Sequence, residues 1–91
     1  MCIRDSNASF NAGDGILTGA FCTVSHNDAD DNERGIAVGG ANSLVTHNAA
    51  NDNVIAGLEV QCPGTVTNNS ASGNGQNYVF EGPGCFTKNN N

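Results

Sequence analysis

A nine-residue phrase occurs twice in the chain, as VSHNDADDN at residues 24–32 and as VTHNAANDN at residues 45–53. Related phrases continue on both sides of this pair at the same spacing. A fixed period of roughly 20 residues is typical of repeat proteins, in which each unit packs on the next. This period limits the possible folds more than any single residue does.

Aligning the chain with itself at the spacing of the two phrases gives columns, that is, sets of residues at the same position in successive units. A valine column passes through Val24, Val45 and Val66 and reaches Phe86 after a step that is shorter by one. Two asparagine columns follow, with the members Asn27, Asn48, Asn69 and Asn89 in one and Asn11, Asn32, Asn53 and Asn74 in the other. Four units therefore account for nearly all of residues 7–91.

Each unit has short apolar runs of period two, such as Ile36 with Val38 and Leu58 with Val60, between glycines and asparagines. This pattern predicts about three short strands per unit, wound as one coil of a β-solenoid. Helical repeats are disfavoured because they need longer units and fewer Gly, Asn and β-branched residues.

Stacked coils would place equivalent residues about 4.8 Å apart, the spacing of neighbouring strands. The asparagine columns are then predicted to form ladders in which side-chain amides hydrogen-bond from coil to coil at two bends. The valine and isoleucine columns should fill the interior, and an alanine column should line a narrow inner corner. The alanines are Ala8, Ala29, Ala50 and Ala71.

The units GIAVGGANSLVTHNAANDN and GLEVQCPGTVTNNSASGN resemble the right-handed parallel β-helix repeat of pectate-lyase-like enzymes, phage tailspikes and NosD-type periplasmic proteins. The resemblance implies an all-β, right-handed, single-stranded parallel β-helix of about four coils, each of about 20–22 residues. It also implies a bacterial protein that is secreted, held at the cell surface or periplasmic. Fold alone does not fix function, because this coil hosts lyases, hydrolases, epimerases and adhesins.

Residues 1–6, MCIRDS, resemble the translation of a sequencing-library transposon end. We therefore expect residues 1–6 to be a non-native leader and residues 7–91 to be the C-terminal part of a longer solenoid, packed on upstream coils. Under this expectation Cys2 is excluded from the native cysteines.

Three cysteines remain. Cys22 should point inward, and it lies three coils from Cys85, or about 14 Å, too far for a disulfide. Cys62 and Cys85 lie on adjacent coils and form a possible disulfide if their loops converge. The alternatives are buried free thiols, or a partner for Cys22 in an upstream coil.

The net charge of -6, with only three basic residues, argues against nucleic acid and anionic membranes as partners. No segment approaches the roughly 20 apolar residues of a membrane span, so membrane insertion is not expected. Polysaccharide is the partner that the resemblance implies.

Two groups of residues are candidate metal ligands. Asp28, Asp30 and Asp31 form the densest acidic stretch and suit Ca²⁺, but they lack the spacing of a known calcium loop, which favours a solvated turn. His26 and His47 share a column, but two histidines are incomplete for zinc. Asn68 and Lys88 are expected to continue that column, and the lysine would repel a cation, which favours a polar ladder. No cofactor is predicted, with Ca²⁺ as the alternative.

No catalytic residue is predicted. A polysaccharide lyase needs paired basic groups, whereas Arg34 and Lys88 look isolated, and a hydrolase needs two acids across the sugar. Glu59 and Glu81 should lie one coil apart in roughly matching positions, which is also typical of a plain surface.

The sequence thus favours a structural or glycan-contacting scaffold. The alternatives are a lyase or epimerase with upstream catalytic coils, and a surface adhesin. The aromatic residues available for glycan contact, several of them expected to be buried or capping, are Phe10, Phe21, Tyr78, Phe80 and Phe86.

Overall fold

The computed structural model describes residues 2–91, and this part of the chain contains strands and turns but no helix. The strands are β1 (Ile3–Arg4), β2 (Asn7–Ser9), β3 (Asp14–Thr18), β4 (Thr23–Ser25), β5 (Asp28–Asp30), β6 (Arg34–Val38), β7 (Leu44–Thr46), β8 (Ala49–Asn51), β9 (Ala56–Gln61), β10 (Gly64–Thr67), β11 (Ser70–Ser72), β12 (Gln76–Glu81) and β13 (Cys85–Lys88).

The strands form three parallel sheets, and the chain visits the three in turn. Sheet A has the order β1-β4-β7-β10-β13, sheet B β2-β5-β8-β11 and sheet C β3-β6-β9-β12. Every strand therefore pairs with the strand three places away in the sequence, which is the topology of a β-solenoid. The prediction of an all-β parallel solenoid of about four coils is confirmed.

The core is a set of aliphatic columns, as predicted. Val24 pairs with Val45, which is itself aligned with Val66, and all three side chains are fully buried. Ile36 and Leu58 form a second buried row in sheet C. The alanine column also faces the core, but at the centres of the sheet B strands rather than at a corner. Small side chains suffice because the coil is narrow.

The shorter step predicted for the fourth coil is wrong. Val66 pairs with Thr87, and Phe86 pairs with Thr65, so the regular spacing of sheet A continues through β13. Asn90, not Asn89, consequently continues the first asparagine ladder. Phe86 looks like the next member of the valine column because it is the nearest apolar residue. The hydrogen bonds of the asparagine ladder keep the regular spacing instead, and they place Thr87 there.

Each coil turns at residues with left-handed backbone conformation, with φ between 56° and 98°. At corner AB, between sheets A and B, these residues are Asp5, His26, His47, Asn68 and Asn89. At corner BC they are Phe10, Asp31, Asp52 and Gly73, and at corner CA they are Phe21, Asn42, Gly82 and Gly84. Gly, Asn, Asp and His tolerate this conformation best, and two phenylalanines are exceptions to that rule.

Two disulfides join neighbouring coils. Cys62 is bonded to Cys85, with 5.0 Å between Cα atoms, as the sequence allowed. Cys2 is bonded to Cys22, with 5.1 Å between Cα atoms, so the exclusion of Cys2 and the upstream partner for Cys22 do not describe this structure. None of the cysteines is free. Ile3 also pairs with Val24, while the non-native origin of residues 1–6 stays a prediction.

Candidate functional site

The ladder at corner AB is buried and fully paired. The backbone N and the Nδ2 of Asn27 both donate to Oδ1 of Asn48, at 3.1 and 3.0 Å. Asn48 donates in the same way to Oδ1 of Asn69, at 2.9 and 3.0 Å. Asn69 in turn donates to Asn90. With their polar atoms so engaged, these asparagines hold coils together rather than bind a ligand.

The ladder at corner BC ends within the chain. Asn32 and Asn53 each donate their backbone N to the next asparagine of the column, at 2.9 and 2.8 Å. The Nδ2 of Asn74 donates at 3.1 Å to Oδ1 of Asn77, which takes the place of a further coil. Sequence reasoning missed Asn77 because this residue closely follows Asn74 and lies outside the columns of the repeat.

The acidic stretch does not converge. Asp28 and Asp31 are exposed, and Oδ1 of Asp30 instead accepts a hydrogen bond from the backbone N of Asn51, at 3.0 Å. Within residues 2–91, no three His, Cys, Asp or Glu side chains gather closely enough to hold a metal ion.

The two histidines at corner AB stack on each other. The ring centroids of His26 and His47 are 5.0 Å apart, their planes differ by 1°, and both side chains are exposed. Nδ1 of His47 lies 2.9 Å from Oγ1 of Thr46. The expected place of Lys88 in this column is wrong, because Lys88 pairs with Thr67 and Asn89 occupies the corner.

Arg34 connects three coils, so the prediction that it is isolated is wrong. Its Nε and Nη2 donate to the two carboxylate oxygens of Asp14, at 2.7 and 3.2 Å, and its Nη1 donates to Oε2 of Glu59 at 3.0 Å. The hydrogen bond and the charge of Asp14, with Glu59 adding to them, hold the pKa of Arg34 above its usual value despite partial desolvation. With all three of these contacts made inside the protein, Arg34 joins neighbouring coils through ion pairs.

The expected match of Glu59 with Glu81 is also wrong. Glu59 is aligned with Val79, whereas Glu81 is aligned with Gln61, two residues further along the strand. Glu59 is also engaged by Arg34. The structure therefore does not bring these two glutamates together as a pair.

Exposed aromatic rings are the most unusual surface feature. Phe10 and Phe21 are 82% and 78% exposed, and each has a left-handed backbone, with φ of 59° and 57°. They flank β3 in the first coil, and Leu17, also exposed, lies between them in that strand. Several aromatic residues are expected from the sequence to be buried or capping, but burial does not hold for any of the four phenylalanines, because Phe80 and Phe86 are exposed as well.

Tyr78 and Phe80 lie at the other end of the stack. Their rings are nearly parallel, with centroids 6.2 Å apart. The Tyr78 hydroxyl lies 2.6 Å from the carbonyl oxygen of Asn91 and 3.1 Å from that of Asn69. Partial burial raises the pKa of Tyr78. The tyrosine therefore belongs mainly to the core and its hydrogen bonds.

Comparisons with protein-family models, curated proteins and solved structures find no match to this chain. No helix within residues 2–91 is long and apolar enough to cross a bilayer. On the surface of the solenoid, the two features that the fold does not require are the exposed rings of Phe10 and Phe21 and the stacked pair of His26 and His47.

Proposed function

We propose that this chain is a non-catalytic scaffold of an exported bacterial β-helix protein, of the pectate-lyase-like or NosD-like type. We further propose that it contacts extended polysaccharide along the solvent face of β3, between Phe10 and Phe21. The repeat pattern and the parallel solenoid support the family assignment. The exposure of the two phenylalanines is the observation that carries the proposed contact with glycan.

The corner positions themselves do not need phenylalanine. The corner BC position of Phe10 is taken in later coils by Asp31, Asp52 and Gly73, which adopt left-handed backbone more readily. A bulky residue is strained in this conformation. Burial in the core does not offset this strain for either phenylalanine, because both rings are exposed. Strain retained at an exposed position is a reason to look for a ligand.

The chemistry of the surface suits a sugar chain. The apolar C–H face of a pyranose ring can cover an aromatic ring and remove both from water. The five residues of β3 span about 17 Å, so a glycan lying along the strand would present several sugar units. Export is supported by the disulfide between Cys62 and Cys85, because disulfides persist mainly in oxidising compartments.

The test replaces each ring with asparagine, which adopts left-handed backbone at Asn42, Asn68 and Asn89 of corners CA and AB. The variants Phe10→Asn and Phe21→Asn should keep the fold, because Asn suits a left-handed corner, and should lose the signals that the wild type gives on a glycan array. The matched control is Phe86→Ser, which removes a 58% exposed ring from sheet A and should leave binding unchanged. Binding by the double variant at wild-type strength would contradict the proposal.

The enzyme alternative predicts a different result. Incubation of the wild type with the bound polysaccharide should release neither reducing ends nor unsaturated products if the chain is a scaffold. Product formation would overturn the scaffold proposal. Binding confined to a protein partner, with no signal on the array, would favour the adhesin.

A further inference from the structure

The stacked histidines at corner AB form a second surface feature that the proposed scaffold function does not use. We propose that His26 and His47 together bind one divalent transition-metal ion, such as Zn²⁺ or Ni²⁺, with water completing its coordination. Imidazole nitrogen is a preferred ligand of these ions. The proposal does not depend on glycan binding.

The geometry needs only a small adjustment. Two nitrogens that bind one metal at about 2.0–2.1 Å lie roughly 3–4 Å apart, depending on the angle at the metal. The parallel rings, with centroids 5.0 Å apart, reach that separation if they tilt toward each other. Both side chains are exposed, so neighbouring residues do not block the tilt. The backbones are fixed by the pairing of Ser25 with Thr46.

A neighbouring hydroxyl can prepare His47 for this role. When Nδ1 carries the proton, it donates to Oγ1 of Thr46 across the observed 2.9 Å, and Nε2 is left with its lone pair free. Oγ1 of Thr46 also accepts a hydrogen bond from Oγ1 of Thr67, at 3.2 Å. Such outer partners commonly fix the tautomer and orientation of metal-binding histidines.

The charges around the pair are also favourable. The corner AB column begins with Asp5 and continues after His47 with Asn68, so the lysine expected there is absent from the column. The Asp5 carboxylate lies 3.3 Å from Nε of Arg4, which offsets part of its charge. The chain as a whole carries a net charge of -6, which attracts cations.

The experiment titrates the oxidised protein with Zn²⁺ and Ni²⁺ by calorimetry at about pH 7.5, above the ordinary histidine pKa, and follows the histidine ring signals by NMR. The wild type should bind one ion, and the ring signals of both histidines of the chain should shift together at a stoichiometry of one ion per chain. His26→Asn and His47→Asn, which place at each corner the residue found at Asn68, should each weaken binding about tenfold or more, because a direct ligand contributes at least as much as the outer partners whose loss costs about 10–100-fold.

Two further variants separate metal binding by the histidines from effects of the acidic stretch and of the Thr46 hydroxyl. Asp28→Asn/Asp31→Asn removes two exposed carboxylates of the acidic stretch that follows His26 in the sequence and should leave the affinity within about twofold of wild type. Thr46→Val should weaken binding less than the loss of either histidine and should change the tautomer that NMR reports. A wild type that binds neither ion, or single histidine variants that bind as well as wild type, would overturn the site.

Discussion

At the scale of single residues, Asn48 shows how a side-chain amide can be buried in an apolar interior without a large energetic penalty. It is 2% exposed, its Oδ1 accepts both donors of Asn27, and its Nδ2 donates to Oδ1 of Asn69 and to the carbonyl of Val24 at 2.9 Å. Burial of a polar group is tolerated when every donor and acceptor is paired. Each rung therefore depends on its neighbours.

Replacing Asn48 should lower the stability of the fold substantially. Asn48→Ala leaves buried donors and acceptors of the neighbouring coils without partners, so we expect the free energy of unfolding to fall by at least about 2 kcal/mol. The control is Asn51→Ala, whose partly exposed side chain accepts a hydrogen bond from Ser72 and should cost under about 1 kcal/mol. Urea denaturation followed by circular dichroism measures both, and equal losses would contradict a special role for the ladder.

At the scale of the strand, close packing between coils depends on the absence of a side chain at particular positions. A Cβ added to Gly35 in β6 would lie 2.7 Å from the carbonyl oxygen of Gly57 and 2.8 Å from Nδ2 of Asn53. A Cβ added to Gly13, just before β3, would meet nothing within 4 Å. Glycines of identical appearance in the sequence thus have different roles.

Gly35 and Gly13 give a matched test of how tightly the coils are packed. Gly35→Ala should lower the free energy of unfolding by about 1–3 kcal/mol, because the backbone carbonyl and the ladder amide must both move. Gly13→Ala should change stability by less than about 1 kcal/mol, and any gain would come from a less flexible unfolded chain. Thermal and urea unfolding report both differences, and a Gly35→Ala protein as stable as wild type would show that sheets B and C are more loosely packed than described.

Sequence periodicity predicts some of these features and not others, for physical reasons. Columns such as Val24, Val45 and Val66 are visible because the same packing demand recurs in each coil. The ion pairs of Arg34 cannot be predicted from the repeat. The number of residues from Asp14 to Arg34 differs from the number from Arg34 to Ala56, so these residues do not fall in one column. Side-chain alignments on the outer face of sheet C change with every such irregularity, whereas the regular step at corner AB let the sequence column predict the stacking of His26 on His47.

At the scale of the whole molecule, the coils act as interchangeable layers in a stack that measures 30 × 23 × 20 Å. Each layer contacts chiefly the layers above and below it, as in other solenoids, so stability should be close to a sum over layers and their interfaces. No layer contains a core of its own that the others surround.

Removing one layer should therefore shorten the protein without unfolding it. Deletion of residues 28–48 joins Asn27 to Ala49, keeps both disulfides, and brings Asn69 into the place of Asn48 in the ladder. We expect a cooperatively folded β protein of lower stability and smaller urea m-value, because less surface is buried. Deletion of residues 28–38 breaks the register and should abolish cooperative unfolding. A full-layer deletion that unfolds as completely as the partial one would contradict the layered description.

The direction of the ladder bonds has a consequence for the electric field of the molecule. The Oδ1 atoms of Asn48, Asn69 and Asn90 all accept hydrogen bonds from the preceding coil, whereas each Nδ2 along the ladder donates both to the next Oδ1 and to a backbone carbonyl of the preceding coil. Backbone groups in a sheet largely cancel one another, whereas these side-chain carbonyl groups all face the same way and polarise one another in series. The stack is therefore expected to carry a permanent dipole moment along its length, and dielectric relaxation or alignment in an electric field would detect it.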